Sequence, residues 1–312
     1  MKILITGGLG HIGSKLIREI PKKIKNTHVS IVDNLITQRF FSLYNLKYKK
    51  YSFVNLDVSK PSDKLVDIFK DQDIVIHLAA ITDAANSFNH AEEVERNNFT
   101  STKNVADICS RLNIKLILLS STSVYGSQSK LVNEDCHFND LKPQSPYATS
   151  KLKEENYANK LFLDKGLNFT ICRFGTIYGV SEGMRFHTAV NKFCWQAVMK
   201  EPLTIWKTAL NQKRPYLSLN DATDLIIHLI KKNLFHGETY NILTENLTVK
   251  QVINEIKKNI HPIKLELVDN KIMNQLSYEV ENKKIIETGF KFKDSIKNGI
   301  RETIDLIKNS NT

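Results

Sequence analysis

A chain of 312 residues, 41% hydrophobic and 25% charged, with 12 glycines and 7 prolines, has ordinary globular composition, which excludes collagen-like, low-complexity and wholly disordered classes. Its 44 Lys and Arg against 33 Asp and Glu give a formal charge of +11, which permits nucleic-acid binding, an anionic small substrate, or nothing beyond solubility. No apolar run approaches the roughly 18 to 20 residues of a membrane helix, and Met1-Lys2 leads straight into Ile3-Leu4-Ile5 with no secretory core behind it, so a cytoplasmic protein is expected.

Taken in chain order, short apolar runs at 2–6, 28–33, 52–57, 73–78, 115–120 and 168–173 predict strands, with stretches of helical length between most of them. Uncharged strands alternating with helices predict an α/β fold, a doubly wound parallel sheet covered on both faces. After about Gly175 the rhythm changes. Helical patterns at 187–200, 220–233, 248–259 and 294–308 are interleaved with short strands at 203–206, 216–219 and 240–243. The expected organisation is a dinucleotide-binding domain over 1–175 carrying the catalytic residues, and a smaller C-terminal α/β domain over 176–312 that mainly binds substrate. Segments near 216–243 are expected to return to the first sheet. There is no internal repeat or Gly/Ser linker.

Cys109, Cys136, Cys172 and Cys194 form no CxxC pair, and the nine histidines show no HExxH or HxxxH cluster; neither a disulfide scaffold nor a metal site is expected. The densest basic stretch, Lys47-Tyr48-Lys49-Lys50-Tyr51, reads as part of a solvated lysine-rich face rather than a nucleic-acid patch, because the excess charge is spread over the whole chain.

Between the first strand and a helical run from Ser14 to Ile20 lies Thr6-Gly7-Gly8-Leu9-Gly10-His11-Ile12-Gly13. Glycines there allow a tight turn and close approach of a pyrophosphate to backbone N–H groups at the positive end of a helix. Asp33 follows at the end of the second strand, placed to accept hydrogen bonds from an adenosine ribose. With a carboxylate there and Asn34 rather than Arg next, a 2′-phosphate would be repelled, so NAD is favoured over NADP. A triphosphate loop is excluded, since Ser14-Lys15 follow Gly13 where Lys-Ser/Thr is required.

Further on, Ser145-Pro146-Tyr147-Ala148-Thr149-Ser150-Lys151 reads as a helix start, with Ser145 as N-cap and Tyr147 and Lys151 on one face. A Lys cation and a nicotinamide cation near a phenol favour the phenolate, which lets Tyr147 act as a base near neutral pH. The hydroxyl-rich stretch Ser120-Ser121-Thr122-Ser123 directly after the fifth strand sits on the ligand-binding edge of such a sheet, where a hydroxyl can share a proton with Tyr147.

With these motifs the chain resembles, over essentially its whole length, the extended short-chain dehydrogenases/reductases, in particular their NAD-dependent nucleotide-sugar epimerase/dehydratase group. The resemblance implies a cofactor turn that includes Gly7, Gly10, His11, Ile12 and Gly13, a ribose binder at Asp33-Asn34, an adenine contact at Asp57-Val58, and a segment beside the nicotinamide riboside at His77-Leu78-Ala79-Ala80. Asn98 matches the family asparagine that steadies the central strands beside the cofactor. Ser121 falls on the catalytic Ser/Thr, Tyr147 on the catalytic base and Lys151 on its cationic, cofactor-holding partner. Arg214, in Arg214-Pro215-Tyr216-Leu217-Ser218-Leu219-Asn220-Asp221, is similar to the arginine that grips the substrate diphosphate, and Asn191 falls near another diphosphate position. Ser121, Thr122 and Thr176 complete the implied substrate side.

Relatives that dehydrate or decarboxylate usually carry an acidic residue just after the catalytic Ser/Thr, where this chain has Thr122 and Ser123. The expected reaction is therefore redox-neutral epimerisation of a nucleotide-diphosphate sugar, at C4, through a keto sugar; a dehydratase, decarboxylase or reductase is the alternative within the family. Outside it, the alternative is a non-catalytic NAD-binding regulator or nucleic-acid binder, against which Ser121, Tyr147 and Lys151 argue. Two departures concern the substrate: Thr176 replaces an asparagine of the family, and the second C-terminal arginine has no match, so Asn274 and Gln275 are read as amide donors in its place. The resemblance also implies a homodimer built from the helices near 92–112 and 147–164.

Overall fold

The computed structural model of the protein describes residues 1–46, 51–82, 86–88, 90–128, 131–269 and 277–310. In chain order the first part runs β1 (Lys2–Thr6), α1 (His11–Lys23), β2 (His28–Asp33), β3 (Tyr51–Asn55), α2 (Asp63–Phe69), β4 (Ile74–His77), α3 (Ala91–Leu112), β5 (Lys115–Ser121), α4 (Pro146–Lys165) and β6 (Phe169–Phe174). The second part runs β7 (Thr176–Tyr178), α5 (Ala189–Val198), β8 (Leu203–Trp206), β9 (Lys213–Ser218), α6 (Leu219–Lys232), β10 (Glu238–Ile242), β11 (Glu245–Thr248), α7 (Val249–Lys257), β12 (Leu265–Val268), α8 (Lys283–Glu287) and α9 (Ile296–Asn309).

Seven strands form a parallel sheet in the order β10-β6-β5-β4-β1-β2-β3. The order reverses beside β1, and that switch point is where an open α/β sheet leaves a ligand crevice at its C-terminal edge. Side-chain alternation explains the two covered faces. Ile3 and Ile5 of β1, Ile74 and Ile76 of β4 and Ile117 of β5 share one core with Leu16, Ile17 and Ile20 of α1 and Leu225, Ile226 and Leu229 of α6. Leu4, Val75, Leu116 and Leu118 point the other way, into a core with Leu65 and Phe69 of α2, Val105 and Ile108 of α3, and Ala158 and Leu161 of α4.

A third core, around Val190, Phe193, Leu203, Val252, Ile256, Ile300 and Ile304, holds α5, α7 and α9 together with the short strands of the second part. There β9 lies between β7, parallel, and β11, antiparallel, while β8 pairs with β12. Of the segments expected to rejoin the first sheet, β10 does so, beside β6, and β9 does not.

Among the differences from the sequence reading are the start of α1 and the presence of β12. Helix α1 begins at His11, not Ser14, so the last glycine of the turn lies inside the helix. Strand β12 was not expected; with Leu265 and Leu267 exposed it carries no buried stripe for a pattern to reveal.

Candidate active site

The turn after β1 is built by backbone. Gly7 and Gly8 N–H donate to Val32 O at 2.8 and 3.4 Å, which ties the turn to the end of β2. Gly7 has φ +66°, and a Cβ on it would lie 2.7 Å from Ala79 N, so only glycine lets β1 and the segment after β4 approach this closely. Gly10, the N-cap of α1, has no side chain to cap the first turn, and that turn carries no acidic residue. The backbone N–H groups of His11, Ile12 and Gly13 therefore form a helix start suited to an anion. The His11 ring is not part of that surface: it is buried, its Nδ1 lies 2.7 Å from Ser181 Oγ, and burial, with the nearby charge of Arg185, pushes it down to about 3, so it is neutral.

Asp33 is fixed by the same turn, Oδ2 accepting from Leu9 N–H at 3.1 Å and Oδ1 from Leu35 N–H at 2.9 Å. Asn34 accepts from Ile36 N–H at 3.1 Å. Asp57 accepts from both the N–H and the hydroxyl of Ser59, at 3.0 and 2.7 Å, and buried Val58 gives its carbonyl to Asn104 at 3.0 Å. On the far side of the crevice Leu78 N–H bonds Thr6 O at 3.0 Å, and half-buried Ala79 and Ala80 continue the wall. Asn98 clamps the end of that wall, accepting from Ile81 N–H at 2.7 Å and donating to Ile81 O at 2.9 Å. It is buried and acts through the backbone it holds. A side-chain-free helix start, a fixed carboxylate at the tip of β2 and a small-residue wall fit a dinucleotide with a free ribose diol.

Ser145 caps α4, accepting from Ala148 N–H at 3.1 Å, with Pro146 in the first turn. This start places half-buried Tyr147 beside Lys151, whose Nζ lies 6.0 Å from the centre of the Tyr147 ring. Burial alone would lower the Lys151 ammonium, but Glu154, 2.8 Å from Nζ, together with Tyr147 outweighs it and holds the pKa above the ordinary lysine value. Ser121, last residue of β5, accepts from Ser123 N–H at 3.2 Å and lies 2.9 Å from the Ser123 hydroxyl. The 3-10 turn that follows it, Thr122–Tyr125, packs against α4. Thr122 is buried, its hydroxyl 3.3 Å from Phe174 O and 3.1 Å from Tyr278 OH.

Of the residues expected to face the substrate, Thr176 of β7 stands opposite Tyr216 of β9, and Arg214, two residues earlier on β9, donates to Gln212 Oε1 at 3.2 Å. Asn191, which the resemblance places near a diphosphate position, is fully buried, its amide taken up by Gly179 N–H at 3.1 Å, Gly179 O at 3.2 Å and Arg185 O at 3.3 Å, and it shapes the 179–185 segment. Asn274 and Gln275, like Lys47 to Lys50, lie outside the described residues.

Two features escaped the sequence reading. The segment 181–185 straps the glycine turn: Ser181 bonds His11, Glu182 pairs with Arg18 at 2.7 Å, Gly183 N–H donates to Ser14 at 2.9 Å and Arg185 bonds Thr82. Glu154 is the other; its spacing from Lys151 was the available signal. Among the described residues no group of three or more His, Cys, Asp and Glu side chains converges as a metal site, and no helix is long and apolar enough to cross a membrane.

The fold and the crevice define a dinucleotide-dependent enzyme. Residues 3–242 match the model of the NAD dependent epimerase/dehydratase family. The chain is 31% identical over 268 residues, 82% of its own length and 81% of the relative's, to the "Uncharacterized UDP-glucose epimerase YtcB" of Bacillus subtilis. It is 32% identical over 275 residues to the dTDP-D-glucose 4,6-dehydratase of Dictyostelium discoideum, covering 81% of this chain but only 62% of that longer relative. Among solved structures, the UDP-glucuronic acid 4-epimerase of Bacillus cereus, in complex with UDP-glucuronic acid and NAD, superposes with a TM-score of 0.87 at 25% identity over 99% of this chain and 100% of that one. The protein belongs to the NAD-dependent epimerase/dehydratase family. It is an enzyme, and its cofactor is NAD.

Proposed function

We propose that the protein is an NAD-dependent 4-epimerase of a UDP-sugar, working through a keto-sugar intermediate. The observation that carries this reading is the pairing of Tyr147 with Lys151 at the start of α4, which packs against β5 and the turn after it, where Ser121 is followed by hydroxyls, not carboxylates, at positions 122 and 123. Redox-neutral inversion needs one base and a reversible hydride acceptor, whereas elimination needs a further acid. The relatives named as UDP-sugar epimerases support the substrate class.

Tyr147 takes the proton of the sugar hydroxyl, and Ser121 polarises that hydroxyl. Lys151 holds the cofactor ribose and favours the phenolate. NAD, when bound, supplies the reversible hydride acceptor. Gly7, Gly10 and the N–H groups of His11, Ile12 and Gly13 cradle its pyrophosphate, Asp33 its ribose, with Asn34, Asp57, Val58, Leu78, Ala79 and Ala80 walling the crevice and Asn98 bracing it. Arg214 anchors the substrate diphosphate while the sugar turns over and presents its other face, with Thr122 and Thr176 lining that side. In this reading residues 1–175 with β10 form the cofactor domain, and most of 176–312 binds the nucleotide sugar. A homodimer through α3 and α4 is supported by Phe162 and Leu163 exposed on α4, and the absence of a membrane-crossing helix among the described residues agrees with a cytoplasmic location.

Proton NMR of UDP-glucose, UDP-galactose and their N-acetyl and uronic acid counterparts, each incubated with protein and NAD, tests the reading. A new 4-epimer without net change in nicotinamide absorbance is expected; a keto-deoxy sugar, released carbon dioxide or net cofactor reduction refutes it. Tyr147→Phe is expected to lose about 100- to 10,000-fold in turnover while NAD binding, followed by fluorescence quenching, persists.

A further inference from the structure

Beneath the crevice runs a connected line of buried polar side chains. Thr6 Oγ1, at the end of β1, lies 2.7 Å from His77 Nδ1; His77 Nε2 lies 3.1 Å from Thr102 Oγ1 of α3; and Thr102 donates to Glu154 Oε2 at 2.8 Å. Glu154 also receives Ser150 Oγ on Oε1 at 2.9 Å and Lys151 Nζ on Oε2 at 2.8 Å. The side chains of Lys151 and Glu154 are only 6% and 1% exposed. An ionised carboxylate only accepts, and this orders the protons along the line. Thr102 gives its one hydrogen to Glu154 and so accepts from His77 Nε2–H, which leaves His77 Nδ1 to accept from Thr6. His77 is the neutral ring this requires, since burial pushes it down to about 3.

A buried carboxylate is costly unless paired, and the partner of this one is the lysine beside Tyr147. We propose that Glu154 is a positioning residue that sets the working pH of the active site: its carboxylate holds the Lys151 ammonium on the inner side of α4 and offsets part of the positive charge that Lys151 presents to the Tyr147 phenol. This rests on the reading of Tyr147 as the base. Among the described residues, the other charged groups named around the pair are already matched. Glu155 of α4 is met by Arg173 of β6, which also bonds Tyr125 of the 3-10 turn, and β4 contributes the neutral His77. From α3, Glu95 pairs with Lys153 and Asp107 with Lys103, on the exposed side of the helices. Glu154 is therefore the counter-charge in direct contact with Lys151.

Glu154→Gln tests this with the packing retained, because the amide oxygen can accept from Thr102 and Lys151 and the amide nitrogen can donate to Ser150. Tyr147 and Lys151 then titrate as a coupled pair without the adjacent negative charge, and the first proton leaves more easily. With NAD bound, phenolate absorbance is followed against pH, the Tyr147→Phe form of each protein being subtracted. The midpoint is expected to fall by about one pH unit in Glu154→Gln, with the acid limb of sugar turnover moving the same way. An unchanged or raised midpoint overturns the role of Glu154. A wild-type signal identical to that of Tyr147→Phe, with no titrating phenol to subtract, overturns the base reading and the proposal with it, so the two failures are told apart. Should Glu154→Gln not fold by circular dichroism, Thr102→Val/Glu154→Leu, which replaces donor and acceptor together by apolar groups, carries the same test and the same expected direction.

Discussion

Arg173 and Glu155 meet inside the protein, their side chains 7% and 3% exposed, through guanidinium to carboxylate contacts of 2.7 to 3.2 Å. Arg173→Met strands a buried carboxylate and is expected to cost about 3–5 kcal/mol in chemical denaturation. The double variant Glu155→Leu/Arg173→Met is expected to recover much of that, because two apolar side chains leave no charge unpaired; a double variant no more stable than the single one would contradict this account. At this scale the sequence was informative where spacing fixes geometry: Tyr147 and Lys151 lie four apart behind a Ser-Pro start, and the structure brings them together. It did not single out Glu154, although the spacing from Lys151 was there to be read, and it gave no sign that the Asn191 amide is engaged by backbone. A charge on a helix reads as solvated, and an asparagine at the right distance along the chain carries no sign of whether backbone has already claimed its amide.

Among the elements, the 181–185 strap over the glycine turn leaves no room at its centre: a Cβ on Gly183 would lie 2.5 Å from Leu9 O and 2.6 Å from Gly10 O. Both contacts are backbone, so the turn itself must yield. Gly183→Ala is expected to destabilise by about 1–3 kcal/mol and to raise the Kd for NAD, both read from thermal melts with and without the dinucleotide; an unchanged NAD-dependent shift in Tm would separate the strap from the cofactor site. The strands of the first sheet were legible because uninterrupted apolar runs have no other home than a doubly covered parallel sheet. The start of α1 was not, since glycine signals a turn, yet Gly13 sits in the first helical turn because the backbone of Gly8 lies where a Cβ would go, 2.6 Å from Gly8 Cα and O. The strap was illegible because contacts between a loop and the start of a helix across 170 positions leave no period to detect.

For the molecule as a whole, two histidines are buried neutral, His11 and His77, each pushed from 6.5 down to about 3. Between those values the unfolded chain binds the protons and the folded chain does not, so the stability they contribute is present above pH 6.5 and drains away as pH falls through that window. Denaturation midpoints measured from pH 7 to pH 4 are expected to fall steadily; a flat profile would mean that neither ring is held neutral by the fold. The doubly wound class was readable from β/α alternation over the first part, while the later topology was readable only in outline, because β7, β8, β9, β11 and β12 form two small sheets whose partners are chosen by packing and not by local pattern.

The edge position of β10 also bears on how the chain is made. β6 ends at Phe174, and its outer partner begins at Glu238, after β7, α5, β8, β9 and α6 have been laid down. While the chain leaves the ribosome, the outer row of backbone donors and acceptors along β6, on the side away from β5, has no β10 to pair with until Ile242 has emerged, and an open strand edge is a template for wrong pairing. The first sheet is thus completed from the far side of the second core, so the two parts of the molecule finish folding together and share one cooperative fate.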